Sequence, residues 1–235
     1  LRDIRLKMLS GEAVEGCVRC YHNELAGFKS FRQDSNFRFA KHFDTINKTE
    51  ADGTAPMQLK YWDVRFSNLC NLRCRSCGPN FSSNWYDDAV KVSKQDSDFH
   101  KTWSVDLGKI QRAGRHPSDM LDTFMQHIDT VEKIYFAGGE PLIMEEHYEI
   151  LEQLIRTKRT DVEIAYNTNF SQFDFKKTNV LDLWSKFTKV YVGASLDAEQ
   201  SRGEYMRKGL NWSLVLQNRR QMIERCPHVT FYLSP

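Results

Sequence analysis

From residue 61 onward the sequence alternates between short apolar runs and longer segments of helical period, and this alternation limits the folds open to it. The runs 61–67, 131–137, 162–168, 189–196 and the one starting at Val229 read as strands. Between them lie 81–92, then Leu121, Phe124, Met125 and Ile128 at helical offsets, then 144–157 with Tyr148, Leu151, Leu154 and Ile155 on one face. Helices are also expected at about 178–187 and at 211–224, the latter presenting Trp212, Val215, Leu216 and Ile223. Ser118 or Asp119 is the expected cap of the helix around Leu121. Strands joined by helical crossovers pair in parallel, with right-handed connections. Residues 93–117, with Gly108, Gly114 and Pro117, are expected to be irregular surface.

Residues 1–60 read differently. Leu1, Ile4, Met8 and Leu9 have helical spacing, and a short helix is expected to carry Glu24, Gly27, Ser30 and Arg32. The polar stretch 33–60, with Asp52-Gly53 and Pro56, reads as a loop or linker. Two regions result, 1–60 and 61–235. The chain opens at Leu1 without a Met and stops at Pro235 inside an expected strand, so it is expected to be a fragment of a longer protein.

Special residues gather at the ends of the expected strands. Cys70, Cys74 and Cys77 follow the first, Gly138-Gly139-Glu140-Pro141 the second, Asn167-Thr168-Asn169 the third, and Ser195-Leu196-Asp197 the fourth. In (β/α) barrels the strand C-termini carry the active site. Five of the six cysteines fall in two clusters, Cys17/Cys20 and Cys70/Cys74/Cys77, whereas a secreted disulfide framework belongs to shorter, loop-rich chains. Three thiols can hold three irons of a cubane and leave the fourth iron open for chemistry. No apolar run approaches the ~18 residues of a membrane span, and no signal peptide is evident, so a reducing cytoplasm is expected. A net charge of +2 does not indicate a nucleic-acid surface. Cys226 reads as a buried small hydrophobe.

Cys70-x3-Cys74-x2-Cys77 after the first strand, with Gly138-Gly139-Glu140-Pro141 after the second, resembles the radical S-adenosylmethionine (radical SAM) superfamily. The resemblance covers 61–235 and implies an α/β fold, a partial (β/α)6 barrel lacking its last strand, preceded by a small helical Cys-containing segment. It further implies that Cys70, Cys74 and Cys77 ligate a [4Fe–4S] cluster whose open iron chelates SAM. Reductive cleavage of SAM would give a 5′-deoxyadenosyl radical that abstracts hydrogen from a peptide or other biosynthetic substrate, the electron coming from a donor such as flavodoxin or ferredoxin. Gly138, Gly139, Glu140 and Pro141 match the loop that meets the SAM amino group, and glycines there would let main chain approach a ligand closely. Ser195 and Arg207 resemble the pair that addresses the SAM carboxylate or ribose, with Asn169 and Asp197 on the same face; Arg207 also reads as a solvated helix-end charge. Many members carry an aromatic before the third cysteine, where this chain has Ser76.

Cys17-x2-Cys20, with Glu24, Gly27, Ser30 and Arg32 after it, resembles the twitch- or SPASM-type auxiliary-cluster segment of one subgroup. Two thiolates do not complete a four-cysteine cluster, and half a zinc site is the competing reading. For the whole chain the alternatives are a structural zinc-binding interaction module and an iron–sulfur electron carrier. The Gly-Gly-Glu-Pro loop argues against the first, and the absence of a local fourth cysteine against the second.

Overall fold

The computed structural model describes residues 1–96, 98–99, 103–114, 116 and 119–235. Pro117 and the cap candidate Ser118 lie outside the described residues. The chain divides into two compact units, Leu1–Gln58 and Leu59–Pro235.

The first unit is built from α1 (Arg2–Leu9), α2 (Val18–Leu25), α3 (Phe31–Arg38) and a 3-10 segment, Ala40–Lys48. Glu24 and Arg32 do not share one short helix. The chain turns between α2 and α3 at Gly27, where φ is +80°, a conformation that costs glycine little. Ser30 then caps α3 in a reciprocal capping box with Gln33, which organises the stretch expected to be linker. The Ser30 hydroxyl and the Arg32 guanidinium both reach the Glu24 carboxylate across the turn. Among the described residues of this unit only Val14, Ser30 and Gly53 are buried.

The second unit is a five-stranded, all-parallel sheet in the order β1 (Tyr61–Val64), β3 (Lys133–Phe136), β4 (Glu163–Thr168), β7 (Val190–Ala194), β9 (Thr230–Leu233). Each strand lies beside its predecessor in the chain, as expected for α/β crossovers. The registers Trp62↔Ile134, Phe136↔Tyr166 and Tyr166↔Val192 place large apolar side chains in neighbouring rows. The crossovers are α4 (Tyr86–Ser93), α5 (Asp119–Met125), α6 (Glu145–Arg156), α7 (Val180–Trp184), α8 (Gln200–Met206) and α9 (Trp212–Arg225). Fully buried Trp62, Phe136, Tyr166, Trp184, Leu151 and Leu154 dominate the core. Each such side chain contributes about 1.5–3 kcal/mol of burial. The Tyr166 hydroxyl accepts from Trp184 Nε1 at 3.0 Å and meets His147 Nε2 at 2.8 Å, so the core tyrosine is hydrogen-bonded. Among the described residues no helix is long and apolar enough to cross a membrane.

Several expectations are corrected. The first strand ends at Val64, because Ser67 leaves the sheet to bridge Arg112. The helix expected over 81–92 is split into a 3-10 turn, Ser83–Trp85, and α4. α9 turns Val215, Asn218 and Met222 inward and leaves Leu216 and Ile223 exposed. Arg207 does stand at the end of a helix, α8, but its side chain is 11% exposed and not solvated, and two small elements had no sequence signal: the hairpin of β5 (Asp174–Phe175) with β6 (Thr178–Asn179), and the ribbon of β2 (Arg73–Cys74) with β8 (Arg207–Lys208).

Candidate functional site

The cysteine loop leaves β1 and is fixed by side chains that grip its main chain. Ser83 Oγ accepts from the Cys70 N–H at 3.2 Å, Ser82 Oγ donates to the Leu72 carbonyl at 2.6 Å, and Trp85 Nε1 donates to the Cys74 carbonyl at 2.9 Å. The buried Asn68 amide donates to the carbonyls of Pro79 and Lys109 and accepts from the Gln111 N–H. Leu72, inserted into the core, anchors the middle of the loop. Cys74 sits in β2, backbone-paired with Arg207 of β8.

Burial dominates the thiol chemistry. It pushes the Cys70 thiol up to about 12, with the nearby Glu140 and Cys74 adding to the effect and the Leu72 N–H opposing it. Cys74, 7% exposed, is raised by burial as well, while the Arg207 guanidinium works in the other direction. Ligation of either sulfur therefore releases a proton that the fold holds tightly. Among the described residues no three His, Cys, Asp or Glu side chains converge as they would on a single metal ion. A cubane spreads three thiolates over three irons and does not require that convergence.

The loop after β3 packs against the cysteine loop. Gly138 and Gly139 have φ of +74° and +46°. A Cβ on Gly139 would lie 2.2 Å from the Leu69 carbonyl oxygen, and one on Gly138 2.9 Å from Arg65 Cβ. Gly139 thus admits the main chain of the cysteine loop and Gly138 the Arg65 side chain, a packing role that the sequence reading, aimed at a ligand, did not include. The Glu140 N–H donates to the Leu69 carbonyl at 2.8 Å, tying the two loops together. Its carboxylate, 1% exposed, turns inward: Oε1 accepts from Thr168 Oγ1 at 2.6 Å and the Leu142 N–H at 3.1 Å, and Oε2 from the Asn169 N–H at 2.7 Å. Burial raises its pKa, and these three hydrogen bonds oppose the rise. Pro141 opens a 3-10 turn, Pro141–Ile143.

At the end of β4, Asn169 Nδ2 donates to Asn71 Oδ1 at 2.8 Å and stands 4.0 Å from Cys70 Sγ. Asn71 Nδ2 donates to Ser171 Oγ, which donates back to Asn169 Oδ1, closing a ring of three side chains. Phe170 follows with φ of +60° in a fully buried position, an uncommon conformation for a bulky residue. Asn218 on α9 holds its carbonyl at 3.0 Å.

At the end of β7 the Ser195 N–H donates to the Thr168 carbonyl at 2.7 Å. The Arg207 Nη1 lies 3.6 Å from Cys74 Sγ, and its Nε forms a 2.7 Å ion pair with Asp197 Oδ2 without hydrogen-bond alignment. Of the residues singled out in the sequence, Arg207 is thus joined to Asp197 and Cys74, and Asn169 to Asn71 and Glu140. Thr168, noted in the sequence at the end of its strand, joins the assembly through Glu140, whereas Asn68, Asn71, Ser171 and Trp85 were missed; only the nearness of Asn68 and Asn71 to the cysteines could have pointed to those two.

Cys17 and Cys20 lie in the first unit, at the start of α2 and within it, both half-buried and free.

No family model matches the chain. Over 171 residues, 73% of this chain and 42% of the relative, it is 23% identical to GTP 3',8-cyclase of Actinobacillus pleuropneumoniae serotype 5b (strain L20). The enzyme of the same name from serotype 7 (strain AP76) is 24% identical over 154 residues, 66% of this chain and 37% of the relative. The chain spans about two fifths of the length of these curated relatives. Among solved structures it is similar to anSMEcpe with bound AdoMet, with a TM-score of 0.49 and 21% identity, covering 75% of this chain and 43% of that one. For Streptococcus suis SuiB bound to precursor peptide SuiA, the TM-score is 0.48 at 15% identity, covering 90% of this chain and 43% of that one.

Proposed function

We propose that this chain carries the radical-generating part of a radical SAM enzyme. The observation that carries the reading is the contact between two loops at adjacent strand ends: the three-cysteine loop after β1 and the Gly138–Pro141 loop after β3, joined through Glu140 N–H, the Leu69 carbonyl and Gly139. Cys70, Cys74 and Cys77 hold three irons of a [4Fe–4S] cluster in this reading, and the donor set fits: three thiols on a loop braced by its own fold, with Asn169 and Arg207 nitrogens beside two of the sulfurs. When bound, the cluster and SAM supply reductive cleavage of SAM. The chain's residues then have distinct work. Ser82, Ser83 and Trp85 hold the main chain between Cys70 and Cys74, Asn68 ties the loop's flank to Pro79, Lys109 and Gln111, and Gly138, Gly139 and Pro141 shape the SAM side of the loop. Glu140 locks that loop to β4, and Ser195 and Arg207, with Asp197 beside Arg207, are assigned to the SAM carboxylate or ribose.

The parallel sheet is read as part of a (β/α)6 barrel, and the substrate as a peptide or other biosynthetic molecule. The relatives are named for GTP, which makes a nucleotide the second substrate reading. Cys17 and Cys20 are assigned to an auxiliary iron–sulfur cluster of twitch or SPASM type, the electron to a flavodoxin- or ferredoxin-like donor, and the protein to the cytoplasm. The test is anaerobic reconstitution with iron and sulfide counting, followed by dithionite and SAM. About four irons at the three-cysteine loop, with 5′-deoxyadenosine formed, is the expected result. Zinc in place of iron, or iron without SAM cleavage, overturns the reading.

A further inference from the structure

The radical SAM reading leaves open what sets the readiness of the site to accept an electron. Cys74 is the one cysteine of its loop fixed by backbone pairing: β2 and β8 align Cys74 with Arg207 and Arg73 with Lys208. That pairing delivers the root of the Arg207 side chain to the sulfur, and the Arg75 N–H, bonded to the Met206 carbonyl at 2.8 Å, continues it. The guanidinium then lies with Nη1 3.6 Å from Cys74 Sγ and Nε 2.7 Å from Asp197 Oδ2. Its side chain is 11% exposed, so water and salt screen its charge weakly.

We propose that Arg207 is a positioning residue for cluster electronics: its guanidinium, carried to Cys74 by the β2–β8 ribbon and aimed from Asp197, makes the bound cluster easier to reduce. The proposal rests on the radical SAM reading. Reduction adds one electron from an external donor and no proton, so the cluster becomes more negative by one charge. A fixed cation and N–H donor at a ligand sulfur favour that more negative state, and hydrogen bonds to sulfur are among the levers that set cluster potentials. This role differs from binding the SAM carboxylate, because it operates with no SAM present.

The test is a redox titration monitored by electron paramagnetic resonance on reconstituted protein without SAM, with iron and sulfide counted in each sample. Arg207→Gln keeps an N–H donor on a shorter side chain but removes the charge; its midpoint potential is expected to fall below the wild-type value. Arg207→Lys keeps the charge and is expected to titrate close to wild type. Asp197→Asn removes the counter-charge while the ribbon keeps Arg207 beside Cys74, and its midpoint is expected to rise. This variant carries the test should Arg207→Gln lose its cluster. Unchanged midpoints in both Arg207→Gln and Asp197→Asn, or equal shifts in Arg207→Gln and Arg207→Lys, overturn the proposal while leaving the radical SAM reading standing. A wild-type protein that assembles no iron–sulfur cluster overturns both.

Discussion

The two cysteine clusters sit in opposite surroundings. Cys17 and Cys20 belong to a unit with almost no interior, in which Leu25, Phe28, Phe31 and Phe37 are 86%, 69%, 76% and 78% exposed. Cys70, Cys74 and Cys77 belong to a loop whose centre, Leu72, is sunk in a continuous core and whose main chain is gripped by four side chains. A chain of fewer than about 60 residues buries too little surface to be robust alone. The lesson is that equal motif density does not mean equal preorganisation. One pair of thiols sits at the start of a short surface helix and within it; the other three are built into a loop braced by the core and by side-chain hydrogen bonds.

The sharpest attempt to break this contrast is Cys74→Ala. It is expected to abolish SAM cleavage and remove most of the loop's iron while the circular dichroism of the protein stays unchanged; retained cleavage would show that the loop is not the reactive centre. Next is Gly139→Val. A β-branched residue at φ +46° with its Cβ 2.2 Å from the Leu69 oxygen should cost about 3 kcal/mol or more in urea unfolding and loosen the cysteine loop with it. An unchanged midpoint would mean that the two loops are not packed as described.

Third is a pH effect confined to the sheet unit. Burial lowers the pKa of His147 to about 3 in the fold, against 6.5 unfolded. The unfolded chain therefore binds the extra proton below pH 6.5, and folding loses stability as pH falls from there toward 3, by about 2 kcal/mol between pH 7 and pH 5. Urea titrations of wild type and His147→Phe at the two pH values measure it; the variant should lack this component, and equal slopes would refute the assignment. The smallest effect is expected from Cys17→Ser combined with Cys20→Ser. Iron at the Cys70 loop and the urea midpoint of the sheet unit should hold, the latter within about 0.5 kcal/mol, while iron beyond the first cluster is lost. Loss of iron at the Cys70 loop would join what the comparison separates.

The parallel sheet was legible because each crossover wrote its own period: Tyr148, Leu151 and Leu154 face inward on α6 as the spacing requires. α9 was misread at its rim because an asparagine, Asn218, takes an inward place to hold the Phe170 carbonyl, and a polar residue gives no apolar signal. The first unit was underread for the same reason, since its helices rest on a capping box and the Glu24 contacts rather than on apolar faces. In the site, the cysteines and the glycine loop could be read because their residue types are rare and adjacent to strands. The Asn71–Asn169–Ser171 ring could not, because it joins Asn71 to common residues 98 and 100 positions further along the chain. Nor could the β2–β8 ribbon, whose strands are two residues long and have no pattern of their own.

That ribbon also imposes an order of events during synthesis. Cys74 and Arg207 are 133 residues apart. At usual translation rates of about 5–20 residues per second, Cys74 therefore waits roughly 7–27 s before the strand that completes its ribbon has been made. Until then the thiols lie on a loop whose partner strand is missing, open to oxidants and to whatever metal the cell offers. In the radical SAM reading, such a loop is best furnished with its iron only after Arg207 and Lys208 have emerged, and quality control that acts on nascent chains would meet it in its least protected form.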